Sequence, residues 1–145
     1  MAERTEGSIE IEAGPPDVMD VIRDFPSYPD WADVKSAEVL DEDEEGRGTA
    51  VAFEVSQMGF GARYTLEYAY EDDDAGVSWT TREADGAVRD VQGEYVLEPD
   101  GDGTRVTYRL AVELAVKVPG LVKRQGERQV VKTALEGLKR RVEEG

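Results

Sequence analysis

The sequence predicts an α+β fold in which a curved seven-stranded antiparallel sheet wraps around one long C-terminal helix, with two short helices after the first strand. Three patterns predict it. Apolar and polar residues alternate along seven segments, which is typical of half-buried strands. Turns rich in Gly, Pro and acidic residues separate the last six of these segments, as in an antiparallel meander. The final segment changes to helical spacing, with apolar residues at Val131, Ala134, Leu135, Leu138 and Val142.

The elements follow in order along the chain. Residues 8–13 alternate as a first strand, which the Gly-Pro-Pro sequence at 14–16 ends. Apolar residues then repeat at helical spacing over 18–25, and the helix is expected to stop before Pro26. The aromatic and proline-rich stretch 25–31 predicts a second, short helical turn. The remaining strands are predicted at 35–43, 49–57, 60–71, 77–83, 88–98 and 104–116, and the last helix begins at Pro119-Gly120.

The chain is expected to form one domain over residues 1–145. No internal repeat and no linker interrupts it. A sheet that curls around a terminal helix buries its inner face without needing a second sheet.

The composition excludes several kinds of chemistry. The 145 residues include no Cys and no His, which excludes disulfides, thiolate nucleophiles, imidazole metal sites and a Ser-His-Asp triad. Carboxylate acid–base chemistry, a Lys or Tyr mechanism, or binding without catalysis remain. We therefore expect no metal and no cofactor.

Charge and hydropathy indicate a soluble, cytoplasmic protein; either a monomer or a homodimer is expected. Residues 1–7 lack the apolar core of a signal peptide, and no apolar run approaches the ~18 residues of a membrane span. The net charge of −16 disfavours nucleic acid and anionic membranes as partners, because long-range repulsion opposes the encounter. Residues 117–145 hold eight cations and four anions, a net +4, which leaves −20 on the remainder.

Several stretches of this sequence match a known family. They are DFPSYPDW at 24–31, VKSAEVL at 34–40, GEYVLEP at 93–99, GTRVTY at 103–108 and PGL at 119–121, before the final helix. With them the chain resembles the START-like helix-grip superfamily (SRPBCC), in particular its polyketide cyclase/dehydrase and lipid-transport branch, over nearly its whole length. The resemblance implies an internal cavity between the sheet and the C-terminal helix.

Aromatic residues dominate the predicted inner face of the sheet. They are Phe53, Phe60, Tyr64, Tyr68, Trp79, Tyr95 and Tyr108. A packed core is one interpretation and an aromatic-lined cavity is the other. Because buried Tyr and Trp need polar partners, several inward tyrosines favour a wet or ligand-filled interior. We expect a ligand to contact Phe53, Tyr64, Trp79, Tyr95 and Tyr108, with Val131 on the helix. Trp31 is a further candidate contact: it and Tyr28 either pack onto the body of the protein or line the entrance of the pocket.

Two arginines are candidate polar contacts for that ligand. Arg89 shares parity with Tyr95, so it is expected inside, facing an anionic or carbonyl group, unless its strand begins only after it. Arg124, Glu127 and Arg128 lie near the apolar face of the last helix. The two arginines form either a cationic collar at the cavity mouth, suited to a carboxylate or phosphate, or part of solvated turns beyond the sheet rim. A kink of the helix at Gly126 would change which of its residues face the sheet.

These features predict that the protein binds or transports a hydrophobic small molecule, such as a lipid, isoprenoid or polyketide-like ligand. Non-catalytic binding is favoured over catalysis. The enzyme alternative is a polyketide cyclase or aromatase that holds its substrate folded and polarises carbonyls with Tyr and Arg. A third alternative is a protein-interaction or chaperone-like module with an open groove. A mobile lid is expected at 25–31 or at the Met58-Gly59 turn.

Overall fold

A computed structural model describes residues 4–32, 34–57 and 60–144, with the backbone alone described for Gln57 and Phe60. Strand β1 (Thr5–Ile11) precedes helix α1 (Pro15–Ile22), a 3-10 turn (Phe25–Ser27) and the short helix α2 (Tyr28–Trp31). The other elements are β2 (Ser36–Glu42), β3 (Gly48–Gln57), β4 (Phe60–Tyr70), a 3-10 turn (Asp72–Asp74), β5 (Gly76–Gly86), β6 (Val88–Asp100), β7 (Gly103–Leu114) and α3 (Gly120–Glu144).

In the described part of the chain, seven strands form one antiparallel sheet in the order β1-β7-β6-β5-β4-β3-β2. Strands β2 to β7 are neighbours in sequence and in space, and β1 joins the free edge of β7. The predicted fold class is therefore confirmed. No helix among the described residues is both long enough and apolar enough to cross a lipid bilayer.

Pairing between strands, rather than each strand's own pattern, sets where the strands end. The first strand runs from Thr5 to Ile11, not over 8–13, because Thr5 and Glu6 pair with Leu110 and Arg109 on β7. Pairing with the long strand β7 thus moves the start of β1 forward to Thr5.

Helix α3 packs across one face of the sheet, and two glycines set its distance from the rest of the fold. A Cβ on Gly7 in β1 would lie 2.8 Å from Cγ1 of Val131. Where α3 passes α2, a Cβ on Gly137 would overlap the carbonyl oxygen of Trp31. Neither position has room for a side chain unless α3 moves.

The interior has a closely packed end and an open end. At the packed end, α1 and the C-terminal half of α3 bury Val18, Ile22, Phe25 and Leu138 completely. At the other end, the first half of α3 lies over a cavity. The fold thus combines a rigid base with an unfilled interior, where the candidate site lies.

Candidate functional site

A cavity of about 290 Å³ lies between strands β3 to β7 and the first half of α3. Most of its lining is aliphatic or aromatic. Tyr28 and Val34 close it on the side of α2 and β2, while Gly126, Val130 and Ala134 close it on the side of α3.

Four aromatic rings on four neighbouring strands form one side of the cavity. We call Tyr68, Trp79, Tyr95 and Tyr108 the aromatic wall. Tyr68 is the register partner of Trp79, and Tyr95 is the register partner of Tyr108. Ring centroids are 5.6 Å apart for Tyr68–Trp79, 5.5 Å for Trp79–Tyr95 and 4.6 Å for Tyr95–Tyr108. These separations are typical of favourable aromatic pairs, so the wall is held by its own contacts.

A second aromatic group lies beside this wall. Phe53 on β3 pairs across the ladder with Tyr64 on β4, and the two ring centroids are 5.7 Å apart. Phe53 also packs on Tyr28 at 5.8 Å, and the Tyr28 hydroxyl donates a hydrogen bond to the Ile22 carbonyl oxygen at 2.5 Å. Tyr28 is thus anchored to α1 while its ring lines the cavity.

The other cavity tyrosines are not anchored in this way. Among the described residues no hydrogen-bond partner is seen for the hydroxyls of Tyr64, Tyr68, Tyr95 or Tyr108, whereas those of Tyr28 and Tyr70 have one. Burial raises the pKa of Tyr64 to about 12 and raises the pKa values of the three wall tyrosines well above the usual value. All four hydroxyls are therefore protonated at neutral pH and offer hydrogen-bond donors to a cavity occupant.

Among the described residues that line the cavity, Lys123 and Glu127 of α3 are the only charged ones. Glu127 is 7% exposed, and its Oε2 accepts a hydrogen bond from the Val112 backbone N–H at 3.1 Å. Val112 lies two residues beyond Leu110, which is in the last described pair of β7 with β1. The Glu127 carboxylate therefore caps a backbone N–H of β7 from the side of α3. Nζ of Lys123 lies 3.9 Å from the same oxygen.

Five of the residues expected to contact a ligand line this cavity: Phe53, Tyr64, Trp79, Tyr95 and Tyr108. The structure brings them together on five successive strands, and their contact with a ligand stays a prediction. The side chain of Phe60 and the Met58-Gly59 turn lie outside the described residues.

The expected inward position of Arg89 is wrong. Its side chain is 64% exposed, and its Nη1 lies 3.3 Å from Oε1 of Glu113 on the outer side of the sheet. The register shifts between Val88 and Asp90, where β6 carries one extra residue opposite β7. This β-bulge reverses the alternation, so Val88 and Val91 both line the cavity and Arg89 points away from it.

Arg124 and Val131 do not line the cavity either. Both line an outer groove of about 710 Å³ between β1 and α3, which Arg128 also lines. Val131 faces Gly7 of β1, and one residue earlier Val130 faces the cavity. Of the two alternatives for the arginines, the cationic collar at the cavity mouth is therefore wrong. Among the described residues, the cation that lines the cavity is Lys123.

Trp31 is buried below α3 and does not line the cavity, so of its two expected positions the one at the entrance is wrong and the one packed onto the body is confirmed. Its ring packs on Tyr28 at 4.6 Å, and its backbone lies against Gly137. The indole N–H is buried without a hydrogen-bond partner in the described structure. Tyr28, three residues earlier, has the cavity-lining position instead.

Sequence reasoning placed Glu127 near the apolar face of the last helix but missed Lys123 and its pairing with Glu127 at the cavity, although the spacing contains the signal. Residues 123, 127, 130 and 134 recur at intervals of four, three and four, so they share one helical face. The apolar stripe of α3 is wide and includes residues that face the cavity and residues that face the outer groove. For this reason the stripe alone did not show that Val131 faces the groove.

Comparisons with known proteins agree with this architecture. The family model described as polyketide cyclase/dehydrase and lipid transport matches residues 2–143. A START superfamily protein from Mycobacterium smegmatis is 20% identical, with a TM-score of 0.87 and 97% of each chain covered. The Zhui aromatase/cyclase of a Streptomyces species is 15% identical, with a TM-score of 0.75 and coverage of 99% of this chain and 94% of that one.

A STAR-related lipid transfer protein from Xanthomonas axonopodis has a similar fold. It is 19% identical, with a TM-score of 0.71, and the alignment covers 97% of this chain and 85% of that one. No curated protein matches the sequence. At these identities the solved structures show the shared fold, while the family model covers almost the whole chain. The chain belongs to the polyketide cyclase/dehydrase and lipid-transport family.

Proposed function

We propose that this protein binds one hydrophobic small molecule in the cavity beneath α3. The observation that carries the proposal is the cavity itself, about 290 Å³ and lined mostly by apolar and aromatic side chains. Protein interiors are ordinarily close-packed, with few voids larger than a water molecule. An unfilled volume of this size inside a well-ordered aromatic shell is typical of a site for a small molecule.

The cavity volume limits the size of the ligand. An apolar cavity of about 150 Å³ accommodates benzene, and small-molecule sites commonly span about 300–1,000 Å³. A volume of about 290 Å³ suits a compact ligand, such as a two-ring compound or a short isoprenoid. It is too small to enclose both acyl chains of a phospholipid without expansion.

The unpartnered tyrosine hydroxyls favour a second candidate, a cyclase that acts on a polyketone. Protonated Tyr64, Tyr95 and Tyr108 offer donors to substrate carbonyl oxygens, and a cavity that holds the chain folded would gain rate mainly by positioning. Arg89 has no part in this version because it lies outside. Turnover of a model β-diketone that is lost in Tyr108→Phe, with ligand affinity retained, would favour catalysis over binding alone.

A titration with N-phenyl-1-naphthylamine tests the proposal. This neutral probe fluoresces strongly only in an apolar environment. We expect saturable binding of one equivalent to the wild-type protein. Ala134 lines the cavity from α3, so Ala134→Phe should fill part of the volume and weaken binding at least tenfold.

The matched control is Ala69→Phe, because Ala69 is an exposed residue on β4 that does not line the cavity. It adds the same side chain without occupying the site, so affinity should stay within twofold of wild type. Thermal unfolding of both variants checks that they are folded. Absence of probe binding, or equal binding to both variants, would overturn the proposal.

A further inference from the structure

The end of β7, the loop after it and the first turns of α3 form a positively charged rim on an acidic protein. Residues 114–126 contain Lys117, Lys123 and Arg124 and no Asp or Glu, whereas the whole chain has a net charge of −16. Between these cations, Val116, Val118 and Val122 are half-buried and line the cavity. The boundary between cavity and solvent is therefore aliphatic on its inner side and cationic on its outer side.

Lys123 is the cation of this rim that reaches the cavity lining. Its side chain is 29% exposed, so the ammonium lies where the cavity meets solvent. Nζ lies 3.9 Å from Oε2 of Glu127, which is an ion pair but is beyond hydrogen-bond distance. The Glu127 carboxylate instead accepts a hydrogen bond from the Val112 backbone N–H. Within the described part of the chain, no hydrogen bond from the ammonium is seen, so its donors stay available while Glu127 holds its position.

We infer that Lys123 binds the carboxylate head group of an amphipathic ligand whose apolar body lies against the aromatic wall. The inference rests on the proposed function and narrows its ligand to a compact monocarboxylate. An ammonium at the end of an apolar cavity forms a charge-assisted hydrogen bond with a carboxylate and leaves the rest of the ligand to apolar contacts.

Because Glu127 lies beside Lys123, a ligand with one negative charge should bind more tightly than a ligand with two. The ammonium of Lys123 is already paired with the Glu127 carboxylate, so a bound ligand shares that one positive charge with Glu127. A phosphate monoester carries nearly two negative charges at neutral pH and would meet stronger repulsion from Glu127. Arg124 does not compensate for this repulsion inside the cavity, because it lines the outer groove.

Two probes of the same shape test the inference by calorimetry. They are 2-naphthylacetate, which carries a carboxylate, and 2-naphthylacetamide, which is neutral. We expect wild-type protein to bind the acid about tenfold more tightly than the amide, as one charge-assisted hydrogen bond near solvent would give. In Lys123→Met the ratio of the two affinities should fall to about one, whatever the affinity for the amide itself becomes. Lys123→Arg should retain the preference.

Lys132→Met is the matched control. It removes one positive charge from the same helix, but Lys132 lines the outer groove and not the cavity. The tenfold preference should persist in this variant, which separates a local contact from the loss of overall charge. A third probe, 2-naphthylmethyl phosphate, should bind wild type more weakly than the acid does.

The role of Lys123 is overturned if wild-type protein binds the acid and the amide with equal affinity, or if the preference for the acid survives Lys123→Met. Either result leaves binding in the cavity intact. Tighter binding of the phosphate overturns the assignment to a monocarboxylate. If neither the naphthyl probes nor N-phenyl-1-naphthylamine binds to folded wild-type protein, both the proposed function and this inference fall.

Discussion

The indole ring of Trp79 lies directly over the backbone of Gly93 on the neighbouring strand. The two residues are register partners at the last paired position between β5 and β6. A Cβ built on Gly93 would lie 2.7 Å from Cζ2 of the indole and 2.5 Å from the Arg109 carbonyl oxygen. The glycine thus gives the ring the room that it needs to join the aromatic wall.

Replacing Gly93 with alanine should displace this ring and weaken the sheet around it. We expect Gly93→Ala to lower the free energy of unfolding by about 1–3 kcal/mol, as overpacking of a tight site does, and to weaken probe binding. Denaturant unfolding measures the first effect. Gly126→Ala is the control, because a Cβ there meets nothing within 4 Å, and it should raise stability by about 0.5–1 kcal/mol.

The hydroxyls of the wall should matter little for stability. Tyr108→Phe removes a hydroxyl with no partner among the described residues, so the free energy of unfolding should change by less than about 0.5 kcal/mol. Tyr28→Phe removes the donor to the Ile22 carbonyl oxygen and should cost about 1 kcal/mol. Thermal unfolding of the two variants compares them. An equal, large loss in both would contradict the account of free hydroxyls.

Stability should fall in alkaline solution as the tyrosines begin to ionise. Below pH about 10 both folded and unfolded chains keep the phenolic proton, so the tyrosines make no pH-dependent contribution. Above that pH the unfolded chain releases the proton, while the folded chain retains it because burial raises the pKa of Tyr64 to about 12. Tyr64 alone should therefore cost about 2–3 kcal/mol of stability by pH 12.

Tyrosinate absorbance and circular dichroism, recorded together against pH, measure this alkaline transition. Absorbance from the buried tyrosines should appear together with unfolding, in one step. Tyr64→Phe should shift that step to higher pH. Ionisation near pH 10 in a protein that stays folded would show that these hydroxyls are open to solvent.

Because Arg89 is exposed, we expect its replacement to change neither the stability of the protein nor its affinity for the probe by much. Exposed ion pairs contribute about 0–1 kcal/mol, so Arg89→Ala should change stability by less than about 1 kcal/mol. Its affinity for N-phenyl-1-naphthylamine should equal that of wild type. A tenfold loss of affinity, with the melting temperature unchanged, would place this side chain in the site after all.

The strand alternation was enough to predict the sheet and the inward aromatic residues, but it could not reveal the β-bulge. Alternation holds only while a strand is regular. The extra residue between Val88 and Asp90 is defined by its pairing with β7, which lies far away in sequence. Alternation alone therefore places Arg89 on the wrong face, although it places Tyr95 on the correct one.

Neither could the sequence decide between a packed core and a cavity. Tyr64 and Tyr108 point inward in both cases, and the volume left between them depends on how far α3 stands from the sheet. That distance depends on contacts such as Gly7 with Val131 and Gly137 with Trp31, which no local pattern encodes. The cavity face of α3 was recognisable in principle, since helical spacing alone groups residues 123, 127, 130 and 134.

Methyl NMR spectra recorded with and without one equivalent of N-phenyl-1-naphthylamine test the central claim most directly. Cavity methyl groups of Val91, Leu110 and Ala134 should shift, because an aromatic ring beside them changes their magnetic environment. Those of Val18 and Leu138, fully buried outside the cavity, should stay in place. Shifts confined to surface methyl groups such as those of Leu40 and Leu121, or no shifts at all, would contradict a ligand site beneath α3.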